Sequence, residues 1–245
     1  MTPAELVEIE AYADMFDAVP PGVPAELSQS GTAIALRVAG APLTELNRIL
    51  GLSSMSELDA LEPLYEGGQV VISLDPASGL DDELRLRGYE PGYPWQKFER
   101  GVEPYARQTS LRITEAEAPG EFGPAVAVAF GAPPAFAPWL DALVGRRGWH
   151  VFVSHDGERF VGGAALFASG STGWLGIGGT LLEARGRGSQ GALLAARIDR
   201  ARELGLSLLV TETGVPKEDG PGPSYRNILR AGFAEAYVRP NYVRP

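Results

Sequence analysis

The sequence predicts an α/β protein made of two related units. Three observations carry that prediction. Segments with helical and strand-like patterning alternate along the whole chain. A weak internal echo relates "VVISLDP…ELRLRGYEPGYPW" to "LLVTETG…NILRAGFAEAYVRPNY": each is strand, helix, Gly-aromatic break, then an aromatic-rich extension. Only the second unit carries a glycine- and arginine-rich turn, "GRGSQG" at 186–191, between a strand pattern and a helix pattern.

The elements follow in order. The acidic stretch 3–18 reads as a helix and "GTAIALRV" (31–38) as a strand. "PLTELNRILGL" (42–52) reads as a helix, with Thr44 near its start and Gly51 as its stop. "SMSELDALEPLYEGG" (54–68) reads as another, capped by Ser54 or Ser56 and ended by Gly67 and Gly68. "QVVISLDP" (69–76) is a short buried-strand pattern, and 80–101 gives a helix, a Gly-Tyr break and an extended aromatic segment. In the second unit "SLRITEA" (110–116) reads as a strand. Residues 149–169 read as a hairpin, because Asp156-Gly157 separates two alternating apolar runs. "GWLGIGGTLL" (173–182) is a glycine-loaded strand. After the turn come a helix to about Leu204, the strand "LSLLVTET", the helix "PSYRNILRAGF" (223–233) and one terminal strand.

Composition narrows the chemistry. The chain has 245 residues, 44% of them hydrophobic, and a formal charge of −10. There is no cysteine, which removes disulfides, thiol catalysis and thiolate metal sites. His150 and His155 are the only histidines, so a multi-histidine metal site is not expected and the metal prediction is none. No apolar run approaches the roughly 18–20 residues that span a bilayer. The acidic N-terminal stretch does not resemble a signal peptide, so a cytoplasmic location is the expectation. Residues 1–105 hold 6 basic and 18 acidic side chains; residues 106–245 hold 15 and 13. The acidic half argues against nucleic acid as a partner, while the other half can hold a small anion.

"GRGSQG" is literally G-x-G-x-x-G, and Glu212 ends the next strand at about the spacing of a ribose-binding acid. A dinucleotide turn nevertheless fits poorly. "LLEAR" separates the strand from Gly186, and only about 50 residues with one clear helix follow, too few for further β-α units. The physics still calls for an anion. Gly186 and Gly188 allow left-handed backbone and close approach. Successive amides and the positive end of the following helix then face one concavity, and Arg185 and Arg187 add charge suited to phosphate. That helix carries an apolar stripe at Leu194, Ile198 and Ala201, with Arg197, Arg200 and Arg202 read as facing solvent.

"LLEARGRGSQGALLAARIDRARELG" resembles the acetyl-CoA-binding motif of the GCN5-related N-acetyltransferases, Arg/Gln-x-x-Gly-x-Gly/Ala at a strand-to-helix junction. Arg185 and Gly188 match; Gln190 stands where Gly or Ala is usual. "PSYRNILRAGF" resembles the family's next motif, a helix ending in Gly-Phe. The resemblance covers about 150–245 well, and 106–150 by the order of elements. It implies an α/β (α+β) fold with a mixed, mostly antiparallel sheet flanked by helices, present as tandem copies. Residues 1–105 would be a degenerate copy without the loop, and 106–245 the acetyl-CoA-binding, catalytic one.

The resemblance further implies direct transfer of acetyl from the CoA thioester to a primary amine of a small molecule or peptide, without an acyl-enzyme. It assigns cofactor contacts to Gly178, Gly179, Thr180 and Leu182 on the strand and to Arg185, Gly186, Arg187, Gly188, Ser189, Gln190 and Gly191 at the turn. Ser224 and Asn227 on the next helix complete that set. Glu212 matches a position where some relatives place a proton-accepting carboxylate. Many relatives place a tyrosine acid five residues before the Gly-Phe phenylalanine; here that position is Ile228, and Ser224 is the remaining candidate beside the leaving thiolate. Trp139, Trp149 and Trp174 read first as core residues and second as walls for an aromatic acceptor. A non-catalytic acyl-CoA-binding regulatory module is the alternative function, and assembly as a homodimer is left open.

Overall fold

The computed structural model describes residues 1–39, 44–65 and 68–244. The first half runs α1 (Pro3–Asp17), β1 (Ala25–Ser30), β2 (Ala33–Val38), β3 (Arg48–Leu50), α2 (Met55–Leu61), β4 (Val70–Ser73), α3 (Asp81–Leu86), β5 (Glu90–Pro91) and β6 (Trp95–Arg100). The second runs β7 (Arg112–Glu115), α4 (Gly123–Phe130), α5 (Ala137–Asp141), β8 (Trp149–Asp156), β9 (Arg159–Ser169) and β10 (Thr172–Thr180). It continues through α6 (Ser189–Glu203), β11 (Leu208–Gly214), α7 (Pro223–Arg230), β12 (Ala234–Arg239) and β13 (Asn241–Arg244).

Two sheets form, ordered β1-β2-β3-β4-β13-β5 and β12-β6-β11-β10-β9-β8-β7. Both are mixed and mostly antiparallel: β3 and β4 run parallel in the first, β10 and β11 in the second. The halves exchange one strand each. β6 from the first half lies between β11 and β12 of the second, and β13 from the second lies between β4 and β5 of the first. The echo in the sequence therefore corresponds to β4-α3-β5-β6 and β11-α7-β12-β13, each giving its last strand to the other sheet. A boundary near residue 105 does not separate the sheets, because every strand edge prefers a hydrogen-bonded neighbour to water. The terminal segment read as one strand is two, β12 and β13, divided at Pro240, which has no N–H for a ladder.

The stretch 42–52 also departs from its helical reading. Residues 40–43 lie outside the described residues; the rest is a 3-10 turn at Thr44–Leu46 and the strand β3. Ile49 and Leu50 are fully buried, and β3 pairs with β2 on one side and β4 on the other. Burial on both sheet faces overrides local helix preference. β1 is a further strand that the sequence pattern does not mark. Elsewhere the local signals serve well. Ser54 caps α2 in a reciprocal box with Glu57, and α2 ends in a 3-10 turn at Glu62–Tyr65; Gly67, read as part of its stop, lies outside the described residues. Gly157 and Glu158 turn the β8–β9 hairpin, one residue beyond the expected Asp156-Gly157: Asp156 pairs with Arg159 and Gly157 takes φ 61°.

The layers share one core. α1 lies between the sheets: Val7, Ala11, Met15 and Phe16 pack with Ile34, Leu36 and Leu50 on one side and Trp139, Trp174 and Val210 on the other. α2 and α3 cover the far face of the first sheet through Leu58, Leu61 and Leu84. α6 and α7 cover the far face of the second through Leu194, Ile198 and Ile228.

Candidate active site

The site is built where β10 and β11 part. They pair only from Thr172–Trp174 to Leu208–Val210. Beyond Trp174, β10 bulges, its register against β9 shifting between Gly176 and Gly179. Two local features mark the bulge. A side chain on Gly176 would lie 2.0 Å from the Trp174 ring, so only glycine passes there. Ile177 adopts φ 51°, a conformation that a β-branched residue avoids. Strain of that kind gathers at functional sites.

A cleft of about 580 Å³ opens beside this bulge, at the start of α6. Gly178, Gly179, Thr180, Arg185, Gly186, Gly188, Ser189, Gln190, Gly191, Ser224 and Asn227 all line it, so eleven of the residues singled out from the sequence meet in one place. Gly188 caps α6 at φ 87°, with no side chain on its first-turn amides. Those amides and the helix dipole are therefore available to an anion. Ser189 is tied inward, sharing a hydrogen bond with Ser154 Oγ at 2.8 Å and accepting from Thr180 Oγ1 at 3.2 Å. Gln190 bridges to α7: its Nε2 donates to Ser224 Oγ at 2.9 Å, and Asn227 Nδ2 donates to its Oε1 at 2.7 Å. The residue that departs from the motif thus joins the two helices.

Leu182 and Arg187 lie outside the cleft lining. Leu182 is 75% exposed and does not line the cleft. Arg187 turns away to the β8–β9 hairpin, where both its terminal nitrogens meet Asp156, at 2.5 and 2.8 Å. A two-point, charge-assisted contact with a nearby carboxylate holds the exposed guanidinium there. Arg107, Arg226 and Arg230 line the cleft in its place, with Arg185 and Arg197. Arg107 was invisible as a site residue because it lies in the extended segment after β6, far from the motif in sequence. Arg197, read as solvent-facing, is 3% exposed: it reaches under the sheet to the carbonyls of Ala165 (3.0 Å) and Gly176 (3.3 Å). Five arginines and no carboxylate line this cleft in a chain of net charge −10.

A second cavity of about 240 Å³ adjoins the first, sharing Phe130, Gly178, Gln190, Arg197 and Ser224 with it. Its walls come from both halves. Tyr12, Trp95 and Glu45 belong to the first; Phe136, Trp139 and Trp174 belong to the second. Trp149 is not among them; its Nε1 donates to Asp14 in the core at 2.8 Å. Trp95 arrives on the exchanged strand β6, which no local signal announces.

Glu212 sits on the wall of this second cavity, its side chain 5% exposed. It faces Lys97 directly across the β11–β6 pair, accepting from Lys97 Nζ at 2.9 Å and from Trp174 Nε1 at 3.1 and 3.2 Å. Lys97 also meets Glu8 at 2.6 Å. Glu8 in turn pairs with Arg48 at 2.8 Å and with Arg239, which reaches Glu5 at 3.1 Å. Burial alone would raise the Glu8 carboxyl, but Arg239, Lys97 and Arg48 together hold it well below the usual range. Lys97 is raised despite its burial, by Glu212 and Glu8. Ile228 lines the same cavity, at the position where the resemblance drawn from the sequence leads one to expect a tyrosine acid. Tyr225 does not replace it: its hydroxyl donates to Glu235 at 2.6 Å, and burial together with that carboxylate pushes it up to about 12.

Among the described residues no cluster of three or more His, Cys, Asp or Glu could hold a metal, and no helix is long and apolar enough to cross a membrane. No family model matches the sequence, and no curated protein matches it. Solved structures do. A GCN5-related N-acetyltransferase from Kribbella flavida superposes with a TM-score of 0.67 at 15% identity, over 100% of this chain and 96% of that one. The chain has the fold of the GCN5-related N-acetyltransferases. Another with that description, from Sphaerobacter thermophilus, has a TM-score of 0.60 at 20% identity, over 96% of this chain and 86% of that one. A tandem protein of this fold from the clavulanic acid biosynthesis pathway has a TM-score of 0.62 at 16% identity, over 98% and 93%. Within the GCN5-related acetyltransferase fold, β10 and β11 are the splayed pair and α6 is the helix behind the glycine turn.

Proposed function

We propose that the chain is an acetyl-CoA-dependent N-acetyltransferase acting on a primary amine. One observation carries the proposal: a cleft lined by five arginines and no carboxylate runs from an uncapped helix start to a bulged, splayed strand. The charge suits the phosphates of CoA, with Arg107, Arg185, Arg226 and Arg230 around the α6 amides. The strand edge at Gly178, Gly179 and Thr180 suits the amide-bearing arm and the thioester carbonyl, which a backbone N–H polarises as charge develops.

In this reading the amine enters the second cavity and attacks the thioester at the throat between the two. The aromatic walls fit an amine on an apolar body, and Tyr12, Trp95 and Glu45 give the first half its role there. Glu212 accepts the amine's proton, directly or through water. Ser224 and Asn227, held by Gln190, fix α7 against the cofactor arm. The two units are read as tandem copies, the first lacking the glycine turn.

The pairing of Glu212 with Lys97 and the isoleucine at 228 favour one other reading, a module that binds acyl-CoA without turnover. Calorimetric titration with acetyl-CoA, followed by product detection over a panel of arylalkyl and aliphatic amines, separates them. Binding with turnover supports the transferase, binding without turnover supports the module, and no binding removes both.

A further inference from the structure

Arg197 is the buried charge that the site chemistry above leaves unused. The three other buried cations, Arg48, Lys97 and Arg239, share the carboxylates of Glu5, Glu8 and Glu212. Among the described residues no carboxylate pairs with Arg197. Its Nε donates to Leu193 O at 3.1 Å and its Nη1 to Ala165 O and Gly176 O. Desolvation by burial is the only cause that moves its pKa, down to about 9. A lone buried cation is costly, and an apolar residue of similar volume would fit an α6 position between Leu194 and Ile198 more cheaply.

Its position says what the charge faces. Arg197 is one of the few residues lining both cavities, so it stands at their throat. Among the described residues Nη2 has no hydrogen-bond partner. It lies 4.0 Å from the point a Cβ on Gly178 would occupy, directly behind the bulge. The glycine turn, where phosphate charge belongs, is a separate station with its own arginines. The throat is where a thioester must lie for an amine in the second cavity to reach it.

We propose that Arg197 is a catalytic residue whose guanidinium holds the negative charge of the CoA thiolate as it leaves. This rests on the acetyltransferase reading. The amine nitrogen forms the new bond to the acetyl carbon and gives up its proton to Glu212, directly or through water. The carbon–sulfur bond breaks and its electron pair stays on sulfur. Arg197 transfers no proton; the thiolate is protonated by solvent after release. Charge stabilisation of the thiolate then stands in for the proton that a tyrosine acid at position 228 would have given.

The test is the acidity of bound CoA itself. The chain has no cysteine, so CoA supplies the only thiol in the sample. Thiolate absorbance of the protein saturated with CoA is followed against pH, with the complex of desulfo-CoA subtracted to remove tyrosine. Free CoA titrated in the same buffer supplies the reference value. The bound thiol is expected at least about one unit lower, roughly tenfold more thiolate at neutral pH. Arg197→Lys should keep most of that shift and Arg197→Gln should lose it, both with CoA binding checked by calorimetry and folding by circular dichroism. A bound thiol at or above its free value in the wild type overturns the proposal. So does a shift that survives in a folded Arg197→Gln protein. If that variant does not fold, the wild-type titration and the Lys variant decide. Failure to bind CoA at all overturns the acetyltransferase reading, and this assignment with it.

Discussion

Replacing Lys97 by methionine tests the charge network that joins the halves. Lys97 is wholly buried on β6 and holds Glu8 at 2.6 Å and Glu212 at 2.9 Å. Methionine keeps the length of the side chain and removes the charge. Glu8 retains Arg48 and Arg239, but Glu212, its side chain 5% exposed, keeps only the Trp174 indole as a hydrogen-bond partner among the described residues. Removing one partner of a buried pair costs about 3–5 kcal/mol, mostly from the stranded charge. For a chain of this length that is a fall in Tm of about 6–20 °C. Glu212→Gln alone strands Lys97 less severely, because Glu8 still holds it. The double variant Lys97→Met with Glu212→Gln leaves neither charge uncompensated. It should recover at least about 1.5 kcal/mol relative to the sum of the single losses. Urea unfolding of the four proteins at pH 7 measures this. A loss below about 1 kcal/mol for Lys97→Met, or strict additivity, would refute the claim that Lys97 compensates Glu212.

Other outcomes follow from the same geometry. Arg187→Glu should leave acetyl-CoA affinity within about threefold, because Arg187 is engaged with Asp156, an exposed pair worth at most about 1 kcal/mol. Arg107→Ala should weaken affinity about tenfold or more, the value of one charge-assisted contact; equal effects from both substitutions in calorimetry would contradict the placement of these side chains. Gly188→Asp puts a Cβ 3.1 Å from Gln108 O at φ 87° and a negative charge beside the arginines, and should lower affinity at least about a hundredfold. Trp95→Ala should raise KM for the amine while leaving KM for acetyl-CoA nearly unchanged, since Trp95 lines only the second cavity. Acid should unfold the protein through Glu8. Its carboxyl is depressed in the folded state, so its contribution is full above the ordinary carboxylate range and is lost as pH falls through the folded value. Glu8→Gln should be less stable at pH 7 and show a shallower loss of stability on acidification.

The sequence by itself determined the elements whose causes are local. The Ser54 capping box, the β8–β9 hairpin and the glycine turn before α6 each act within a few residues, and each forms within one residue of where the pattern says. Because the turn and the start of α6 are contiguous, most of the cofactor-facing set is also local, and eleven of those residues share one cleft. The tertiary structure alone decided which side chains meet from distant segments. It exchanged β6 and β13, which set Lys97 against Glu212 and brought Trp95 to the wall of the second cavity. It turned 48–50 into a strand through buried neighbours on both sides, and drew Arg187 to Asp156 while Arg107 took a place in the cleft. It also sank Arg197 beneath the bulge. Period and spacing report which face of an element is apolar. They say nothing about which charge lies opposite another across a sheet, because that depends on strand order, and strand order here crosses between the halves.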